Sequence, residues 1–134
     1  GGPGLRSGED ADIANLLLAG LHSQAQADRR AQRPADAARL VEEMSRRFPA
    51  DTTVQFLRAE SLLRDLNQPA EAMAALNAIG VRTDDARLAP RRALLAAEVW
   101  IAMQQPDAAK AELDAAIAAF PQNARLKARR DSLP

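Results

Sequence analysis

The chain contains no cysteine and no tyrosine, and its only imidazole is that of His22. The lack of cysteine excludes disulfide frameworks, thiolate zinc sites and cysteine nucleophiles. An excess of charge of one sign is also missing, since 18 Lys and Arg residues balance 18 Asp and Glu residues. This balance argues against binding to nucleic acid or to an acidic membrane through bulk electrostatics. No apolar run approaches the roughly 18 residues of a membrane span, so we expect a soluble segment with no membrane insertion and no nucleic-acid partner.

Alanine and leucine make up much of what is present. The 134 residues include 31 Ala and 17 Leu, and only 3% are aromatic. Because strands favour aromatic and β-branched residues whereas Ala and Leu favour helices, the composition predicts an all-α fold of one domain.

Proline, glycine and apolar periodicity divide the chain into segments. Residues 1–8 read GGPGLRSG and are predicted to be a linker or a remnant of expression, outside the fold. A single domain is expected over residues 9–132. It is predicted to contain helical hairpins at about 9–48, 51–80 and 85–120, followed by a capping helix at 123–132.

Several residues are expected to set the helix ends. Asp51 is predicted to cap the third helix, and Asp84 or Asp85 the fifth. Gly80 is expected to take the left-handed conformation just after the fourth helix. Pro90 is expected near the first position of a regular fifth helix.

The hairpins repeat along the sequence. Pro106 lies 37 residues after Pro69, and Pro69 lies 35 residues after Pro34. The first offset superposes Leu113 on Leu76, and the second superposes Leu76 on Val41. Such a period indicates a repeat protein built from similar helical units.

The third hairpin resembles the tetratricopeptide repeat. Its repeat-packing residues, alternately small and bulky at that family's spacing, are Ala97, Trp100, Ala109, Leu113, Ala116 and Pro121. The resemblance implies a right-handed α-solenoid of about three helix-turn-helix hairpins plus the capping helix. In such proteins small residues let the helices of a hairpin touch, and bulky residues fill the space between hairpins.

The first two hairpins depart from the pattern. Glu60 and Ile79 replace small residues in the second hairpin, and Asp84 stands where the closing proline would be. In the first hairpin, Asp28 falls at the aromatic position. A plain helical bundle of three hairpins is therefore the alternative architecture.

The sequence offers little for catalysis. His22 has no second metal ligand of the usual type at helical spacing, and adjacent acids such as Glu42 and Glu43 point about 100° apart on a helix. No phosphate-binding loop or nucleophile elbow is present. We expect no enzyme activity, no metal and no cofactor. The aromatic residues Phe48, Phe56, Trp100 and Phe120 fall at core or helix-end positions, which does not favour base stacking.

The resemblance implies that the first helices of the hairpins line a concave groove that holds an extended peptide or a partner helix. Carried over position by position, the groove residues are His22, Gln26, Arg29 and Arg30 in the first unit, Leu57, Ser61, Arg64 and Asp65 in the second, and Arg91, Leu94, Glu98 and Ile101 in the third. They lack the Lys and Asn arrangement with which some chaperone-linked members clamp a C-terminal carboxylate, so that ligand is not predicted.

These observations predict a non-enzymatic module that binds a protein or peptide partner and serves as a scaffold in a multiprotein assembly. The alternative is a structural spacer or self-association segment of a longer repeat array. The hairpin endings RRFPAD and AAFPQN, with the high Ala and Arg content, resemble bacterial repeat proteins, several of which organise secretion, envelope or exopolysaccharide-export assemblies.

Overall fold

The computed structural model describes the backbone of residues 7–134 and the side chains of residues 14–134. This part of the chain is all α-helical and contains no strand, which confirms the predicted class. Most of the predicted linker, residues 1–6, lies outside the described residues. The helices are α1 (Ser7–Arg30), α2 (Pro34–Arg47), α3 (Thr52–Arg64), α4 (Pro69–Asn77), α5 (Leu88–Ala102), α6 (Pro106–Ala119) and α7 (Ala124–Asp131).

The turn inside each hairpin has the same backbone conformation. A proline opens each second helix, at Pro34, Pro69 and Pro106. Two residues earlier the chain has a positive φ, 60° at Gln32, 52° at Asn67 and 60° at Gln104. The residue directly before each proline has φ between −116° and −122° and ψ between 66° and 74°, outside the α region that the following ring disfavours. The sequence repeat is thus also a repeat of backbone geometry.

The connections that follow α2 and α6 also match each other. The amide of Phe48 donates to the Met44 carbonyl, and the amide of Phe120 donates to that of Ala116. Three residues later a polar side chain caps the next helix. Asp51 accepts from the Val54 amide at 3.0 Å, as predicted, and Asn123 accepts from the Leu126 amide at 3.1 Å.

The connection between α4 and α5 differs and corrects two expectations. Gly80 has no positive φ, since none occurs at a glycine in the described chain. The helix instead ends at Asn77, and the right-handed Ala78 follows it. Helix α5 begins at Leu88, so Pro90 occupies its third position and not its first. Proline is tolerated there because the first four helical amides have no acceptor within the helix.

The N-cap position of α5 is Arg87, and the side chain of Asp85, two residues earlier, binds the amides at the start of the helix. The Asp85 Oδ1 accepts from the amides of Arg87 at 2.9 Å and Leu88 at 2.8 Å. These two backbone hydrogen bonds hold the pKa of Asp85 below its ordinary value.

The buried side chains form several small cores in series. Each helix packs on the next along the chain, and α3 also contacts α5, as α5 contacts α7. The first core, between α1, α2 and α3, contains Ala25, Ala37, Val41, Met44, Val54 and Leu57. The second, between α3, α4 and α5, contains Phe56, Ala59, Leu76, Ile79, Leu95 and Ala96, with Leu62, Ala72 and Val99 beside them. The third, between α5, α6 and α7, contains Ala93, Ala97, Ala109, Leu113 and Leu126.

Each core therefore consists of one hairpin and the first helix that follows it. Leu126 is fully buried, so α7 covers the open face of the last hairpin. No buried cluster among the described side chains joins α1 to α7.

The repeat-packing residues of the third hairpin lie around its core. Ala97, Ala109 and Leu113 are fully buried. Trp100 and Ala116 are half-buried and pack against the same cluster. The Trp100 Nε1 donates to Glu112 Oε1 at 3.3 Å, while Pro121 is exposed in the turn after α6.

Candidate functional site

An open groove of about 520 Å³ runs along α3, α5 and the beginning of α7. Because α3 contacts α5 and α5 contacts α7, the first helices of the second and third hairpins and the final helix lie side by side here. The lining residues are Glu60, Arg64, Ala86, Arg87, Pro90, Arg91, Leu94, Leu95, Glu98, Asn123 and Arg125. Four of the twelve residues predicted for the groove are in this set, namely Arg64, Arg91, Leu94 and Glu98.

Arg29 joins the first hairpin to the second beside this groove. Its Nε and Nη2 donate to the two carboxylate oxygens of Asp65 at 2.8 and 2.7 Å, and its Nη1 donates to Glu60 Oε1 at 3.3 Å. The Asp65 side chain is only 1% exposed, and it also accepts from the Ser61 hydroxyl at 2.9 Å. The hydrogen bonds to Asp65 raise the pKa of Arg29. This two-pronged contact joins the end of α1 to the residue that follows α3.

A second ion pair joins α5 to α7. Arg129 donates through Nε to Glu98 Oε1 at 2.5 Å and through Nη2 to Glu98 Oε2 at 3.2 Å. The hydrogen bond to Glu98 raises the pKa of Arg129. The two carboxylates that line the groove, those of Glu60 and Glu98, are therefore each bound by an arginine outside its lining.

The cations of the groove are less well paired. Arg87, Arg91 and Arg125 form no salt bridge with any described carboxylate. Arg64 approaches Glu60 only to 3.9 Å. The guanidinium of Arg91 lies 4.6 Å from the centroid of the Phe56 ring, a cation–π contact. The groove therefore has an excess of positive charge, although the whole chain is neutral.

The other predicted groove residues lie elsewhere. His22 and Gln26 are half-buried on α1, where Gln26 Nε2 lies 3.0 Å from His22 Nε2, and Arg30 is exposed at the end of that helix. Ile101 packs against the third core.

Three residues of the second unit are buried in the structure. Leu57 is in the first core, and Ser61 and Asp65 lie within the network around Arg29. These three side chains do not line the groove.

Several lining residues were missed by the sequence reasoning. Arg125 and Asn123 belong to α7, which was expected only to cap the domain. A signal was available, because Asn123 repeats the capping role that Asp51 has at the first helix of a hairpin. Arg87 lies in the connection before α5, which has no counterpart between the other hairpins, so no repeat offset leads to it.

Other features of the described chain do not form a chemical site. Asp28, at the position where the repeat has an aromatic residue, is buried and accepts from Gln24 at 3.0 Å and Arg33 at 2.9 Å. The hydrogen bond from Arg33 lowers the pKa of Asp28. Within residues 14–134, no three His, Cys, Asp or Glu side chains are close enough to hold a metal ion. None of the described helices is long and apolar enough to cross a membrane.

Comparison of the chain with protein-family models, with curated proteins and with solved structures finds no match. The resemblance to the tetratricopeptide repeat stays a prediction from the sequence.

Proposed function

We propose that the chain is a non-enzymatic interaction module, a right-handed α-solenoid of three hairpins of the tetratricopeptide type, and that its groove binds an extended peptide or a partner helix. The contact of α3 with α5 and of α5 with α7 carries the proposal. Alternate helices that lie side by side present a continuous surface, and the groove follows that surface.

The series of small cores supports the solenoid. A repeat that stacks on its neighbours buries its apolar face against the next unit, so its core is shared between adjacent hairpins only. Each of the three clusters is formed by one hairpin and the helix that follows it, and α7 covers the last cluster.

The ion pairs beside the groove support a binding role. Arg29 joins α1 to the end of α3 and Arg129 joins α7 to α5, so the residues between them are held in place before a partner arrives. Preorganisation of this kind lowers the entropy lost on binding. The groove also has a volume in the range of binding sites, which is about 300–1,000 Å³.

The absence of cysteine permits a direct test. A library of random peptides of about twelve residues, displayed on phage, is selected against the chain. Arg64→Cys places one thiol in the groove, and Arg46→Cys places one on the exposed surface of α2 as a matched control. Each variant is then labelled with a bulky maleimide.

We expect the label at position 64 to weaken binding of the selected peptides by at least about tenfold, since it fills the groove, and the label at position 46 to leave it unchanged. Peptides that bind both labelled variants equally well would contradict the proposal.

A second candidate function is self-association or a spacer role in a longer array. It is favoured by Leu16 on α1, whose surface is 74% exposed, with Leu17 beside it at 39%. Exposed leucines on the first helix could contact a neighbouring unit. Sedimentation velocity over a range of concentrations tests this role, with Leu16→Glu as the control that should abolish any association.

A further inference from the structure

The charges around the groove point to the chemistry of its occupant. Four arginines line it, Arg64, Arg87, Arg91 and Arg125, against the two acids Glu60 and Glu98. Glu98 binds Arg129 outside the lining, and Glu60 lies between Arg64 and Arg29, which also holds Asp65, so Arg87, Arg91 and Arg125 remain without a carboxylate partner among the described residues. The charge left to face a ligand is positive.

These cations are held close together by different parts of the fold. Arg87 precedes α5, Arg91 is one turn into it, and Arg125 is in the first turn of α7. Arg91 is oriented by its contact with the fully buried ring of Phe56. A guanidinium fixed in this way loses less freedom when it binds, and its planar geometry suits two hydrogen bonds to one carboxylate.

The floor between the arginines is apolar. Pro90 and Leu95 are buried and Leu94 is half-buried, all on α5. A segment that fits this surface alternates acidic side chains for the arginines with apolar side chains for the floor.

Resting on the proposed function, we propose that the occupant of the groove is an acidic extended peptide segment whose Asp or Glu side chains pair with Arg87, Arg91 and Arg125. The recognised groups are side-chain carboxylates within a chain, so a free C-terminus is not required.

The same displayed library tests this proposal. The selected peptides are first divided by whether the maleimide label on Arg64→Cys blocks their binding. Those that it blocks are the peptides that bind in the groove. Among these we expect Asp and Glu to be enriched at least about threefold over the unselected library. Affinity should also fall at least about tenfold when NaCl is raised from about 50 mM to about 500 mM, because salt screens such pairs.

Charge reversal gives a second measurement on the best peptide. The double variant Arg87→Glu with Arg125→Glu should weaken binding at least about tenfold, because like charges then face each other. The control is the double variant Arg39→Glu with Arg47→Glu, which changes the net charge of the chain by the same amount. Its two positions are on α2, away from the groove, so it should leave the affinity unchanged. Circular dichroism of each variant shows whether it is folded.

The outcomes separate the two proposals. Peptides that bind in the groove without acidic enrichment would overturn the acidic segment and leave the proposed function standing. If the library gives no peptide that the label blocks, both fail. Oligothymidylate of about twelve nucleotides is the polyanion control, and binding it at least as tightly as the best peptide would replace the acidic peptide with nucleic acid.

Discussion

Truncation of Leu113 tests whether the cores are separate. Leu113 is fully buried in the third core, and three of its buried neighbours there are the alanines Ala93, Ala97 and Ala109. Alanine side chains are too short to move into the space that Leu113→Ala would leave. We therefore expect a loss of about 2–5 kcal/mol in the free energy of unfolding, the usual range for such substitutions.

The location of the damage matters more than its size. Because the third core is formed by α5, α6 and α7 alone, Leu113→Ala should speed amide hydrogen exchange in those helices and leave α1 and α2 near their original rates. Met44→Ala, in the first core, is the matched control and should show the reverse pattern. Mass spectrometry of peptic fragments measures both.

Two results would refute the reasoning. One is equal acceleration of exchange in all helices by both variants, which indicates one cooperative core. The other is a loss below about 1 kcal/mol for Leu113→Ala, which shows that the site collapses or is not packed as described.

Further predictions concern single positions. Gly80→Ala should raise the stability by about 0.4–1 kcal/mol in urea unfolding, because Gly80 has no positive φ and no atom beyond its two neighbours in the chain lies within 4 Å of the added methyl; destabilisation would contradict this. Arg29→Ala should lower the free energy of unfolding by about 1–2 kcal/mol, because the buried carboxylate of Asp65 then has no cationic partner. The partial exposure of Arg29 reduces this value. Arg29→Lys should recover only part of the loss, since Lys lacks the planar two-pronged geometry. Asp85→Asn should lower Tm at neutral pH. The pKa of Asp85 is depressed in the folded state, so the stability that its carboxylate contributes is complete above the ordinary Asp pKa and is lost as pH falls through the folded value. The Tm values of the parent and of Asp85→Asn should therefore converge in acid. A Tm difference independent of pH would refute this role of the Asp85 carboxylate.

The sequence was sufficient for most helix bounds because local chemistry determines them. Prolines open α2, α4 and α6, and Asp51 caps α3 through its own side chain as predicted. Each of these effects acts within a few residues, so no knowledge of the fold is needed. Gly80 shows the limit of such reasoning, since a glycine permits a left-handed turn but does not require one.

The groove was only partly predictable because it depends on contacts between distant residues. Arg29 and Asp65 are 36 residues apart, and nothing in the local pattern indicates that they pair. The position-by-position transfer assumed equal exposure in each hairpin, whereas Leu57 and Ser61 are buried. The excess of positive charge became visible only when the partners of Glu60 and Glu98 were known.

The distance between α1 and α7 tests the stacking of hairpins most directly. Spin labels on Ser23→Cys and Lys127→Cys would attach at these sites alone, because the chain has no cysteine and both positions are exposed. The path from α1 to α7 crosses α3 and α5, and each of its three steps is at least about 8–10 Å, so pulsed electron–electron double resonance should give a separation of about 25 Å or more. A single distance below about 15 Å would place α1 against α7 around a common core and contradict the solenoid.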